Sequence, residues 1–298
     1  MDITIVIPVY NRKELLKRTL DTIPDSCPVI IVDNGSTDGS YEWCESYVNN
    51  SGRELMTVTK EEKRGAAAAR NKGLSLCKTK WVYFFDSDDE FTGLPTSWNE
   101  DADMVFIPVN MIVNGKSSIR PYKTLAEPYV HILNSMLSTQ SMIFNAEWLR
   151  MAGGWNEQCL LWDDWELGLR TLLNKPKIEW MTEKAYQNII VHNDSITGSD
   201  FSSRYKEILT TLHLAFDELH EKKDNQKDML ALFLRSYILS GHLLKEGNRK
   251  ASKDVEEFIY DRFRVNDMSH KLGRLFRWYA SKGGRGGWKI ALTICKHL

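Results

Sequence analysis

No stretch of this chain approaches the roughly 18 consecutive apolar residues of a membrane-spanning helix, which excludes an integral span. No basic stretch followed by an apolar core precedes the first apolar run either, so a cytoplasmic protein is expected, at most peripheral to the inner membrane face. Cysteine is scarce and unpatterned. Cys27, Cys44, Cys77, Cys159 and Cys295 are odd in number and without metal-ligand spacing, which argues against a disulfide framework or zinc site and for a reducing compartment. Neither sign of charge prevails: 39 Lys and Arg against 40 Asp and Glu leave a net charge of -1, so broad electrostatic binding to nucleic acid is not expected. A G-x-G-x-x-G after the first strand is missing, as is a Walker A loop, so dinucleotide and P-loop phosphate sites are excluded.

What is there is ordinary globular material, 298 residues of which 42% are hydrophobic, enough for one large or two small domains. Ile3-Thr4-Ile5-Val6-Ile7-Pro8-Val9-Tyr10 is nearly continuous β-branched sequence, the pattern of a parallel strand covered on both faces. Asn11 then reads as the cap of a helix, with Glu14 in a capping-box position. A second buried strand, Val29 to Val32, ends at Asp33 and runs through Asn34-Gly35-Ser36-Thr37-Asp38-Gly39 into a helix past Trp43 and Tyr47. A strand over Leu55–Val58, an Ala-rich helix from Gly65 to Leu76 and a strand ending in Asp86 follow. The alternation predicts a mainly parallel α/β sheet, with ligands at the carboxyl ends of its strands. Asn114-Gly115 between apolar runs predicts a hairpin.

The densest chemistry is Trp81-Val82-Tyr83-Phe84-Phe85-Asp86-Ser87-Asp88-Asp89, where an apolar run ends in three carboxylates within four residues. Such a cluster repels itself unless a cation sits there. Hard divalent ions take oxygen ligands and leave coordination positions to substrate phosphates, so Mg²⁺ or Mn²⁺ carrying a diphosphate is one reading. The other is a solvated acidic turn.

Taken together, Ile5 to Arg12, Val32 to Gly39, Arg64-Gly65-Ala66-Ala67-Ala68-Ala69-Arg70-Asn71-Lys72-Gly73 and Phe85 to Asp89 resemble, in order and spacing, the family 2 glycosyltransferases of the GT-A fold. The likeness is dense over these first segments and thins towards about residue 200. It implies a Rossmann-like, mainly parallel GT-A domain over residues 1–198, and an inverting transfer of sugar from a nucleotide diphosphate donor, with UDP expected, to a saccharide or lipid-linked acceptor in cell-surface polysaccharide synthesis. By the same resemblance, Pro8, Tyr10 and Asn11 line the base pocket, Asp33 reads the base, and Arg64, Arg70 and Asn71 stand near the nucleotide. Asp86 and Ser87 contact the ribose or a metal-bound water, and Asp88 binds the metal, with Asp86 as a second ligand and His192 completing the site. Gly153-Gly154-Trp155 followed by Asp163-Asp164-Trp165-Glu166-Leu167-Gly168-Leu169-Arg170 resembles the family's Gly-Gly-Phe and Glu-Asp-x-x-Leu-x-x-Arg, so Asp164 falls on the catalytic base and Asp163 on its neighbour. Read from the residues alone, the pair caps a helix. Ser138-Thr139-Gln140-Ser141 occupies the position where relatives line the acceptor pocket.

Two other classes compete: a sugar-phosphate nucleotidyltransferase on a related sheet, supported only by Arg12 after the first strand, and a catalytically silent carbohydrate-binding protein on the same fold. From Phe201 onward the period becomes helical, so residues 199–298 are expected to be a helical appendage, joined at Gly198-Ser199-Asp200 and broken at Gly247. Its end mixes basic and aromatic residues. Residues 268–298 are therefore weighed between peripheral membrane contact and a solvated tail. Oligomeric state is not legible.

Overall fold

A computed structural model describes residues 2–191 and 200–297. His192 and the expected junction at Gly198-Ser199 lie outside the described residues. The first half runs β1 (Ile3–Val9), α1 (Lys13–Thr22), β2 (Val29–Asp33), α2 (Ser40–Asn50), β3 (Met56–Lys60), α3 (Ala66–Leu76), β4 (Trp81–Phe84) and β5 (Glu90–Phe91). Then come β6 (Met104–Phe106), β7 (Asn110–Val113), β8 (Lys116–Ile119), α4 (Pro128–Asn134), β9 (Met142–Asn145), α5 (Ala146–Met151), α6 (Asp163–Leu173), β10 (Ile178–Trp180) and β11 (Gln187–Val191). Five helices close the chain: α7 (Tyr205–His220), α8 (Gln226–Lys245), α9 (Arg249–Arg262), α10 (Asp267–Ser281) and α11 (Gly287–Lys296).

The main sheet has the order β10-β6-β9-β4-β1-β2-β3. Strands β1, β2, β3 and β4 are mutually parallel, as two-sided burial of their apolar runs requires, while β9 enters antiparallel between β4 and β6. This is the GT-A arrangement expected from the sequence. A smaller sheet, β5-β11-β7-β8, includes the hairpin turning at Asn114-Gly115. Helix α3 lies close over β1 because Ala67, Ala68 and Ala69 are buried and Gly73 has no side chain; a Cβ there would stand 2.2 Å from Val6.

One expectation fails at the first helix. Asn11 is not its cap: α1 starts at Lys13, and Asn11 takes a left-handed backbone with φ 52°. Its side-chain oxygen accepts instead from the Thr37 amide at 2.8 Å, while its own amide donates to Ser36 Oγ at 3.0 Å. The turn after β2 thus outcompetes the local capping pattern and ties the ends of β1 and β2 together.

The terminal helices do not stand apart. A single hydrophobic cluster joins Phe84, Phe144 and Trp155 of the sheet region to Trp165 of α6, Leu212 of α7, Tyr237 of α8 and Cys295 of α11. Helix α8 is the hub, packing against α4, α9, α10 and α11. Helix α6 meets α4 at Gly168, where a Cβ would lie 2.6 Å from His131 Nε2 and 3.0 Å from Leu137 Cβ. Replacing Gly168 by Ala is expected to cost about 1–3 kcal/mol through overpacking, read as a lower urea midpoint with an unchanged slope. An unchanged midpoint would mean that α4 and α6 are not pressed together there.

Candidate active site

The expected site residues gather where β1, β2 and β4 end. Register pairs Val9 with Asp33, which sets Tyr10 beside the acidic end of β2. Tyr10 is 48% exposed, a ring offered to solvent at a strand end, and Pro8 is half-buried beneath it. Asp33 is buried. Its Oδ1 accepts from the Gly35 and Ser36 amides, both at 3.2 Å, and holds the turn. Its Oδ2 is buried with no hydrogen-bond partner. A carboxylate oxygen left without a donor is costly, so this one is open to a donor N–H. Asn34 braces the floor by donating to the Glu61 and Lys63 carbonyls and accepting from Gly65 N at 2.7 Å. Arg64 stands exposed in that loop, ahead of α3.

The acidic cluster after β4 divides by environment. Asp89 and Ser87 are buried, whereas Asp86 and Asp88 are partly exposed. Asp89 accepts from Ile190 N at 3.0 Å and from Gln140 Nε2 at 2.6 Å. Burial first, then the neighbouring Asp86 and Asp88, pushes its pKa well up, and its bond from the Ile190 amide ties this loop to β11. Gln140 also donates to Asp86 Oδ2 at 2.6 Å, while its carbonyl accepts from Tyr83 at 2.8 Å. Expected to line an acceptor pocket, Gln140 is buried and clamps two carboxylates from below. The Asp88 carbonyl accepts from Arg18 Nη2 at 2.8 Å, which fixes the loop backbone.

Arg70 joins the two halves of the site. Nearly inaccessible on α3, it donates to Asp86 Oδ1 at 2.8 Å and to Asp163 Oδ2 at 2.6 Å, and its guanidinium lies 4.4 Å over the Trp155 ring. Asn71 turns the other way. It donates to the Trp155 carbonyl at 2.9 Å and to Glu157 Oε1 at 2.8 Å, and accepts from Trp155 N at 2.8 Å. Asn71 thus grips the backbone of Trp155, the residue whose ring lies under Arg70. Gly154, with φ 65°, lets that loop approach, since a Cβ would meet Asn71 Oδ1 at 2.6 Å. Arg170 secures the same loop from α6, donating to the Ala152 and Gly154 carbonyls, both at 2.7 Å, and pairing with Glu166 at 2.8 Å.

At the start of α6 the cap position belongs to Trp162, in a left-handed backbone with φ 61°, not to either aspartate. Asp163 faces Arg70. Asp164 Oδ1 accepts from the Trp165 amide at 2.7 Å. Burial and then the charge of Asp163 raise the Asp164 pKa to about 6, against the opposing pull of Arg120 and Arg70. A carboxylate poised there is matched to proton abstraction near neutral pH.

Sequence reading missed the residues that hold this helix start. Arg235 of α8 stacks 4.5 Å over Trp162 and 4.8 Å over Trp165, and donates to the Ile132 carbonyl at 2.6 Å. Burial lowers its pKa to about 10, with Asp164 working in the opposite direction. His131 is fully buried between the Leu137 amide, which donates to Nδ1 at 3.3 Å, and the Trp165 carbonyl, 2.9 Å from Nε2. Burial pushes its pKa down to about 3, so it stays neutral with the proton on Nε2. No local signal marks Arg235 or His131; only the packing of α4, α6 and α8 brings them here.

Among the described residues, no group of three or more His, Cys, Asp or Glu is placed to hold an ion. Asp86 and Asp88, two residues apart, are partly exposed oxygen donors, Asp86 with Arg70 on Oδ1 and Gln140 on Oδ2. They fit a hard divalent cation that completes its coordination with water and phosphate, and they do not make an all-protein cage.

Comparison with known proteins bears on the family and the fold. Residues 4–100 match the model of glycosyl transferase family 2. The chain is 36% identical over 95 residues to the glycosyltransferase GlyG of Streptococcus pneumoniae serotype 4, which covers 29% of this chain and 30% of that protein. It is 34% identical over 98 residues to the minor teichoic acid biosynthesis protein GgaA of Bacillus subtilis, covering 30% and 22% of the two chains. The matched segments therefore span less than a third of either relative. In three dimensions the chain resembles S. aureus TarS 1-349, solved in complex with UDP-GlcNAc, with a TM-score of 0.69, 17% identity, and coverage of 98% of this chain and 90% of that one. At that identity the likeness speaks for the fold.

Proposed function

We propose, from the premise that residues 4–100 belong to glycosyl transferase family 2 on a GT-A fold, that this chain is an inverting glycosyltransferase using a UDP-sugar. The observation that carries the reading is the buried, partnerless Asp33 Oδ2 beside the exposed Tyr10 ring. A uracil stacked on Tyr10 would present its N–H to that oxygen, satisfying it and rejecting bases without a donor at that edge. Pro8 and Asn11 shape the same pocket, and Arg64 is an exposed cation in the loop ahead of α3.

The diphosphate would lie towards Asp86 and Asp88, which would hold Mg²⁺ or Mn²⁺ through their oxygens. The ion, when bound, supplies Lewis-acid stabilisation to the departing diphosphate. Asp164 takes the proton of the acceptor hydroxyl, with Asp163 held off by Arg70. One base opposite the leaving group gives in-line displacement with inversion, and positioning supplies much of the rate. A saccharide or lipid-linked acceptor in cell-surface polysaccharide synthesis is supported by the likeness to GgaA, a minor teichoic acid biosynthesis protein.

Thermal denaturation with a panel of UDP- and GDP-sugars tests the reading. UDP-sugars at about a hundred times their dissociation constant should stabilise the fold by about 2.7 kcal/mol, more with Mn²⁺ than without, and Asp33→Ala should lose the preference for UDP. If no sugar nucleotide shifts the melt, the function is wrong; a shift by GDP-sugars alone removes the role of Asp33.

A further inference from the structure

Outside the site, the most unusual surface is on α10. Its inner face, His270, Gly273, Phe276 and Ala280, is buried, and Gly273 lies so close to Tyr237 of α8 that a Cβ would stand 2.2 Å from that ring. Its outer face is not polar. Met268 is 70% exposed, and Leu275 and Trp278 are each 58% exposed. Positions 268, 271, 275, 278 and 282 follow the three-four spacing of a single helical stripe, so Lys271 and Lys282 alternate with the apolar side chains, and Arg274 borders them. Three large apolar side chains at these exposures on one face are not the usual scatter of a solvated helix.

Charge points to what covers it. From residue 264 to the end the chain has eight Lys or Arg and one acid, Asp267, although the whole protein is near neutral. Helix α11 continues the pattern, burying Ala291 and Cys295 while Lys289, Ile290 and Lys296 are exposed. The Gly283 to Gly286 break does not destroy amphipathicity; it divides it between two helices, each anchored through its own buried face. Trp278 suits a boundary between apolar and wet surroundings, and flanking lysines can keep their ammonium groups at headgroup level while their stems lie on apolar surface.

We propose that the outer face of α10, extended by α11, docks the protein on an anionic phospholipid bilayer, with Met268, Leu275 and Trp278 entering the headgroup boundary and Lys271, Arg274 and Lys282 pairing with lipid charge. This rests on the exposed face and its charge, and holds whether or not the donor assignment does.

Co-sedimentation of the full chain with extruded vesicles decides it. Binding is expected to vesicles containing about one-third phosphatidylglycerol, to be weak on pure phosphatidylcholine, and to fall steeply in high salt. Leu275→Ser with Trp278→Ser, and separately Lys271→Gln with Arg274→Gln and Lys282→Gln, should each lower the vesicle partition coefficient about tenfold or more, with circular dichroism melts unchanged. Absence of vesicle binding by the native chain would overturn the proposal, as would equal binding by native chain and both variants. Binding to RNA without binding to vesicles would assign the face to a polyanion and overturn it as well.

Discussion

Asp164→Asn is expected to abolish sugar transfer while making the protein harder to melt at neutral pH. The loss follows from the base: an amide cannot take the acceptor proton, and removing a positioned general base lowers turnover by about 10²–10⁴-fold. The gain follows from linkage. Folding raises the Asp164 pKa from 3.8 to about 6, so the folded state holds the proton more tightly than the unfolded chain does. Below both values the group is protonated in either state and costs nothing. As pH rises through this window the unfolded chain ionises first, and the resulting penalty is fully present above about 6, on the order of 1–2 kcal/mol for a carboxylate with partial solvent access. The Asn variant should therefore melt higher than the native protein at pH 7.5 and at nearly the same temperature at pH 3.5. The native kcat/KM should fall tenfold per unit of pH below about 6. Undiminished transfer by the variant would move the role to Asp163; an unaltered melt at pH 7.5 would deny that Asp164 is ionised at a cost.

Arg70→Ala should be nearly as damaging, for a different reason. One guanidinium neutralises Asp86, at 2.8 Å, and Asp163, at 2.6 Å, from opposite sides of the site. Its removal leaves Asp163 poorly solvated and without its cation, a loss of about 2–4 kcal/mol given that Asp86 keeps some water. It also withdraws a positive charge that holds the Asp164 pKa down. The acidic limb of the pH–rate profile should accordingly move above 6 in Arg70→Ala. Arg70→Lys should recover part of the stability and little of the rate, because a single ammonium cannot fork between two carboxylates. An acidic limb that stays in place in both variants would show that Arg70 does not tune the base.

The parts legible in the sequence are those whose physics is local or periodic. Ile3–Val9 and Val29–Val32 announce buried parallel strands because both faces must be covered, and the Ala-rich run with Gly73 announces a helix pressed on a sheet. The aspartates at strand ends are legible because topology sends strand termini to one crevice. What escaped is set by partners far along the chain. Asn11 carries the right side chain for a cap but is captured by Ser36 and Thr37, 25 and 26 residues away. Asp89, chemically identical to Asp88, is turned inward by Gln140, 51 residues on, and by Ile190, 101 residues on. Asn71 is held by Trp155, 84 residues away. The entry of β9 antiparallel beside β4 and the stacking of Arg235 on Trp162 are likewise consequences of assembly, which a single helix or strand pattern does not encode.

The central claim is that a sugar nucleotide lies across the carboxyl ends of β1, β2 and β4. A crystal structure of the protein with UDP and Mn²⁺ tests it most directly. The account predicts uracil stacked on Tyr10 with its N–H directed at Asp33 Oδ2, and the ion between Asp88, Asp86 and the diphosphate. A nucleotide seated elsewhere, with Asp33 Oδ2 still unsatisfied, would contradict it.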